Sequence, residues 1–351
     1  MASLTDTAYY ARRAINWAIL ALIAYLILRF AWGIFMAVWL AVFPPKAPPP
    51  NHAFGRLPAV KFAAPLASPS GELSFRLETI EGGVPKASDS AAVFFMPKPA
   101  PNLLALTKTQ EFAKKLGFVN DPIQESKNIY RFDDDQVPLR RMRYDIVTNN
   151  FLLRYLFELD TGIFIERNLP SANELKSEAK TILQTYKLYI DDLEQGSTTV
   201  SYLRLSGEKL VPTTSLSQAD AVRIDFFRRA VNGIPVLTQI PAEAHVSFIF
   251  SGSNNSKKRI LQFSYTFWPV DTQTLATYTL KPSTQAWDEL QSGNGFIARY
   301  ATSGPNVVVR KVYLAYLDTV DPQTYLQPIF VFEGDDGFLG YVAAVASQWT
   351  E

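Results

Sequence analysis

Two histidines, a few acidic and basic runs, and one arginine inside an apolar stretch are the places where this chain could do chemistry. His52 and His245 could ligate a transition metal, but neither has a histidine or cysteine at ligand spacing, and the chain contains no cysteine. Asp133-Asp134-Asp135 could offer carboxylates to calcium. A calcium loop needs oxygens at alternate positions and a turn glycine, which this run lacks. With Arg131, Arg140, Arg141 and Arg143 close by, it reads as a solvated, ion-paired turn. Asp335-Asp336, between Gly334 and Gly337, reads as hairpin turn chemistry. No nucleophile elbow, Walker loop or dinucleotide fingerprint occurs. The sequence therefore predicts no catalytic residue, no metal and no cofactor.

The basic runs Arg140-Arg141-x-Arg143 and Lys257-Lys258-Arg259 are local features of a chain whose formal net charge is +1. Nucleic-acid binding shows a domain-wide basic excess, so that class is excluded. Contact with an anionic cell-wall polymer is compatible with these runs; strand ends and loops are their simpler reading.

Arg29 stands apart because it is the one charge between Ala14 and Phe43. Thirty apolar residues make a helix of about 45 Å, enough to span a bilayer. Trp17 and Trp39 would lie about 33 Å apart, one at each interface. Arg29 then falls near the bilayer centre and calls for an acidic or carbonyl partner. Arg29, Gly33, Ala37 and Ala41 follow at four-residue steps, a small-residue stripe along which a second helix can approach. The stripe predicts an integral membrane partner or self-association. A cleaved signal peptide is the competing reading, but its apolar core would be shorter and end in small residues.

Aromatic residues crowd the later strands. Phe248/Phe250 and Phe263/Tyr265/Phe267 each share a face at period two and predict core. Trp268 and Tyr316 would fall on the opposite faces, where they offer a candidate exposed aromatic surface for sugar or peptide.

The elements that position these residues are legible in outline. A head at 1–13 precedes the membrane helix at 14–43, followed by a proline-rich stalk and extended arm at 44–101, in which 55–62 and 73–80 read as short strands. Helices are expected at 107–117, from Ser171 with Glu174 completing a capping box, and at 283–292. Alternating strands follow each of them. Helix-then-strands repeated in this way predicts an α+β body of tandem helix-plus-antiparallel-sheet modules, 102–210 and 211–351.

From about Asp225 onward the order of segments resembles the YycH/YycI family. The matching stretches are DFFRRAVNGIPV, HVSFIFSG, ILQFSYTFWPV, STQAWDELQSGNGF, VRKVYLAYLD and YLQPIFVFEGDDGFLGYVAAV. The resemblance implies PepSY-like extracytoplasmic modules on a single bacterial membrane span. It also implies a non-catalytic role in binding a membrane sensor kinase.

The expectation is a plasma-membrane protein with a cytoplasmic N-terminus and an extracytoplasmic body, an accessory or regulatory subunit of an envelope assembly. Two other readings stand beside it: a structural subunit of a surface or secretion complex, and an envelope hydrolase with an unrecognised site.

Overall fold

A helix as uniformly apolar as residues 14–43 has no polar face to turn to water, and it forms as one continuous helix, Leu4–Val42. The segment Ile15–Met36 has mean hydropathy 2.2 and is long and apolar enough to cross a membrane. The structure, a computed structural model, describes residues 4–42, 49–63, 71–166 and 168–351. The prolines at 44, 45 and 48 of the expected stalk lie outside the described residues. Residues Met1–Pro49 and Pro50–Glu351 are separate compact units.

The second unit is α+β, with three sheets among the described residues. The largest has nine strands, in the spatial order Ile123–Gln124, Ile129–Asp133, Arg140–Asp145, Phe151–Tyr155, Ile260–Tyr265, Val246–Ser251, Ala221–Phe226, Thr198–Ser206 and Lys209–Thr213. All of its pairings are antiparallel. One face is core, where Phe132, Met142, Leu153, Phe248, Phe250 and Phe263 meet Ala113 of the helix Ala105–Lys115 and Leu175, Ala179 and Leu183 of the helix Ala172–Thr185. The second helix carries the expected box: Ser171 accepts from the Glu174 N–H, and Glu174 accepts from the Ser171 N–H at 2.8 Å.

A second, six-stranded sheet is built around the long strand Asn306–Asp318. It pairs antiparallel with Pro328–Gly334, which pairs with Leu339–Ala343 across the expected turn at 334–337. Ala286, Trp287 and Leu290 of the helix Ser283–Gln291 pack on Phe330, Phe332 and Val342. A third sheet joins Asp271–Thr279, Ser90–Phe95 and Tyr325–Leu326.

The sheets run across two expected boundaries. Within the expected stalk and extended arm, two strands join the sheets of the body. Ser74–Leu77 pairs in parallel with the start of Asn306–Asp318, and Ser90–Phe95 is the centre of the third sheet. The expected boundary at 210/211 falls inside the nine-stranded sheet, where Lys209–Thr213 straddles it and Phe151–Tyr155 pairs with Ile260–Tyr265. Alternation in a strand reveals which face is buried but says nothing about the partner strand, so these long-range pairings had no local signal.

The stretch 55–62, expected as a strand, is an extended strap with a single bridge, Leu57 to Thr350. Alternation survives in it: Val60 and Phe62 pack against Phe296, Leu317, Val331 and Tyr341, while Ala59 and Lys61 face outward. The Phe62 and Phe296 rings stack at 5.1 Å.

Candidate functional site

Arg29 and Gly33 both lie on the apolar helix within Ile15–Met36, and both are exposed. Four-residue steps advance about 400° around a helix, so Ala37 and Ala41 continue the same stripe with a drift of about 40° per step; their side chains lie outside the described residues. A Cβ built on Gly33 would meet nothing within 4 Å, leaving the backbone open to a neighbouring helix. On the adjoining turns Trp32, Phe35 and Trp39 form a ladder with 5.8 Å between successive rings.

The aromatic surface expected from Trp268 and Tyr316 does not form. Tyr316 is fully buried, its hydroxyl donating to the Ala92 carbonyl at 2.9 Å and its ring edge-on to Phe94. Burial pushes its phenol pKa well up. The covering element is Ser90–Phe95, from the region expected as stalk. Trp268 is half-buried and donates its indole N–H to the Val320 carbonyl at 2.9 Å.

Beside Trp268 lies a densely charged junction of the body. The Arg228 guanidinium donates to Asp192 Oδ2 from Nη2 at 2.7 Å and Nε at 3.0 Å, and to the Trp268 carbonyl at 2.9 Å. It also reaches Asp318 Oδ1 at 3.4 Å, and its side chain is only 6 % exposed. The guanidinium lies over the Phe267 ring at 4.5 Å. Arg229 takes the other oxygen of Asp192 at 3.3 Å, and His245 Nε2 contacts the Asp318 carbonyl at 3.1 Å. Every charge in this cluster has a partner, so its chemistry is fastening. A cleft of about 690 Å3 opens next to it, lined by Asp191, Asp192, Arg229, Asn232, Phe267 and Thr272 among others.

The acidic and basic runs are also consumed internally. Asp134 is buried, contrary to the solvated turn expected of it. It accepts from Arg140 at 2.9 Å, Lys257 at 3.0 Å, and the N–H groups of Gln136 and Val137 at 3.0 and 3.1 Å. Burial alone would raise its pKa, but these four donors outweigh it and hold the carboxyl below its ordinary value. Lys257, Lys258 and Arg259, expected as exposed loop cations, take three different acids: Asp134, Asp160 and Glu178. Asp335 holds the forked guanidinium of Arg310 beside the hairpin turn. Serine and lysine stand three apart at Ser177/Lys180 and Ser206/Lys209, yet the Lys180 ammonium lies over the Tyr189 ring, and the second pair flanks an exposed hairpin turn. No group of three or more His, Asp or Glu side chains is placed to hold a metal among the described residues.

A third setting is the cleft of about 320 Å3 between the strap and the loop after Asp318, lined by residues 58–63, Lys98, Gln239, 319–325 and Gln327. Two glutamine amides clip the strap from opposite ends: Gln327 Nε2 donates to the Pro58 carbonyl at 2.8 Å, and Gln239 Nε2 to the Lys61 carbonyl at 3.0 Å. Gln327 is 4 % exposed, and its Oε1 has no hydrogen-bond partner among the described residues.

No protein-family model and no curated protein matches the chain. Its fold is similar to the crystal structure of an uncharacterized protein from Eubacterium rectale, at 15 % identity and a TM-score of 0.41, over 72 % of this chain and 82 % of that one. A likeness that distant carries no functional argument.

Sequence reading missed both Arg228 and the strap glutamines. Arg228 had one usable sign, a charge inside the apolar run Asp225-Phe-Phe-Arg-Arg-Ala-Val231, where burial requires a paired acid. Gln239 and Gln327 had none, because their partners are backbone carbonyls of a segment more than 170 residues away.

Proposed function

We propose that this protein is a non-catalytic, single-span membrane protein of the bacterial plasma membrane. Its N-terminus is cytoplasmic and its body extracytoplasmic, and it serves as an accessory or regulatory subunit of an envelope assembly. The observation that carries this reading is the placement of Arg29 inside Ile15–Met36, the segment apolar enough to cross a bilayer, about 5 Å along the helix from its midpoint. An arginine at that depth costs about 2.5–3.5 kcal/mol on insertion scales unless a partner supplies an acceptor. The open backbone of Gly33, one turn further along, gives a partner helix room to approach. The body supports binding over catalysis, since its charged clusters are closed on themselves. The resemblance of residues 225–351 to the YycH/YycI family makes a sensor kinase the first partner class to test.

The test is Arg29→Leu. The variant is expected to insert normally and to lose co-purification of an integral membrane partner. Recovery of the same partner in the same yield would refute the reading.

A further inference from the structure

The strap has the geometry of a strand that lacks a neighbour. Its outward residues Ala59 and Lys61 and its inward residues Val60 and Phe62 alternate as in a sheet. Yet the backbone N–H groups of residues 59–62 hydrogen-bond to nothing among the described residues, and only the Pro58 and Lys61 carbonyls are taken, by side chains. An extended segment with unsatisfied backbone groups is a template for another strand.

Gln327 adds a second, independent feature. Its amide orientation is fixed, because turning it over would set Oε1 against the Pro58 carbonyl, two acceptors face to face. Oε1 is therefore left as a buried acceptor without a donor in a residue that lines the cleft. Such an atom is costly unless something supplies a donor to it.

Charge selects what that something is. Lys61 and Lys98 are exposed on the cleft and have no ion pair among the described residues, and Asp321 is the single unpaired acid there. The rim carries one excess positive charge. A volume of about 320 Å3 holds two or three residues of an extended chain.

We propose that this cleft binds an extended acidic peptide segment of a partner protein, added beside strap residues 59–62 as an extra strand. Backbone groups of the peptide pair with the free N–H groups of the strap, and carboxylates meet Lys61 and Lys98. The site is independent of the helix stripe, so either can fail without the other.

Hydrogen exchange on the full chain in zwitterionic nanodiscs tests this. The probes are a blocked five-residue peptide of alternating valine and glutamate and its valine–lysine counterpart. The acidic peptide is expected to slow exchange at residues 59–62, and the lysine peptide to leave it fast. Lys61→Glu with Lys98→Glu should weaken the acidic peptide by about tenfold. Ala59→Pro, which removes one N–H from an exposed extended position, should weaken it with no change in melting temperature. Protection by both peptides alike, or by neither, would overturn the proposal. So would protection by phosphatidylglycerol nanodiscs without peptide, which would make a lipid headgroup the occupant.

Discussion

Arg228 grips a single oxygen of Asp192 with two of its N–H groups, at 2.7 and 3.0 Å, across 36 residues of sequence. The same guanidinium reaches Asp318 at the end of the central strand of the second sheet, 90 residues away. One buried side chain thus fastens the short helix Asp191–Glu194, beside the nine-stranded sheet, to the six-stranded sheet.

Removing one partner of a buried pair leaves an uncompensated charge and costs about 3–5 kcal/mol. Arg228→Ala, which strands Asp318 and leaves Asp192 with Arg229 alone, is expected to lose about 3 kcal/mol in urea unfolding. Arg228→Lys should lose less but stay well below wild type, because an ammonium cannot fork onto Asp192 and reach Trp268 at once.

Gly196 makes a neighbouring approach feasible. A Cβ there would lie 1.9 Å from the Phe227 carbonyl oxygen, and the Phe227 N–H donates to Ser197 at 2.9 Å. Gly196→Ala must push the backbone of residues 227–228 away and should lower the melting temperature more than any surface Gly→Ala, with Gly83→Ala as the control. An unchanged melting temperature would mean that this contact is looser than described.

Asp134 sets an acid limit on the fold. Its pKa is lowered in the folded protein, so its contribution is fully present above the unfolded value and is lost as pH falls through the folded one. The stability gap between wild type and Asp134→Asn should be flat from pH 5 to 8 and close below the ordinary carboxyl value of 3.8. Urea midpoints measured at pH 3 to 8 check this. A gap that widened on acidification would reverse the sign of the assigned shift.

Ser171 tests the best local signal in the chain. Its side chain accepts from the Glu174 N–H, so Ser171→Ala should cost about 1 kcal/mol, read as a shift in urea midpoint.

The capped helix at Ser171, the helix at 283–291 and the hairpin at 334–337 were legible because each is written within a dozen residues. The core faces of Phe248, Phe250 and Phe263 were legible because period two reports burial. Tyr316 shows where that logic ends. Period two separates its face from that of Ala315 and Leu317 but wrongly leaves it open, because the strand Ser90–Phe95 that covers it lies over 200 residues earlier. Asp134 shows the same limit for charge. Three adjacent aspartates look alike in sequence, and only the fold brings Lys257 to the middle one.

Photo-crosslinking from position 33 in native membranes probes the helix stripe itself. One dominant adduct with another integral membrane protein, lost in Arg29→Leu, is the expected result. Self-adducts alone, or none, would contradict it.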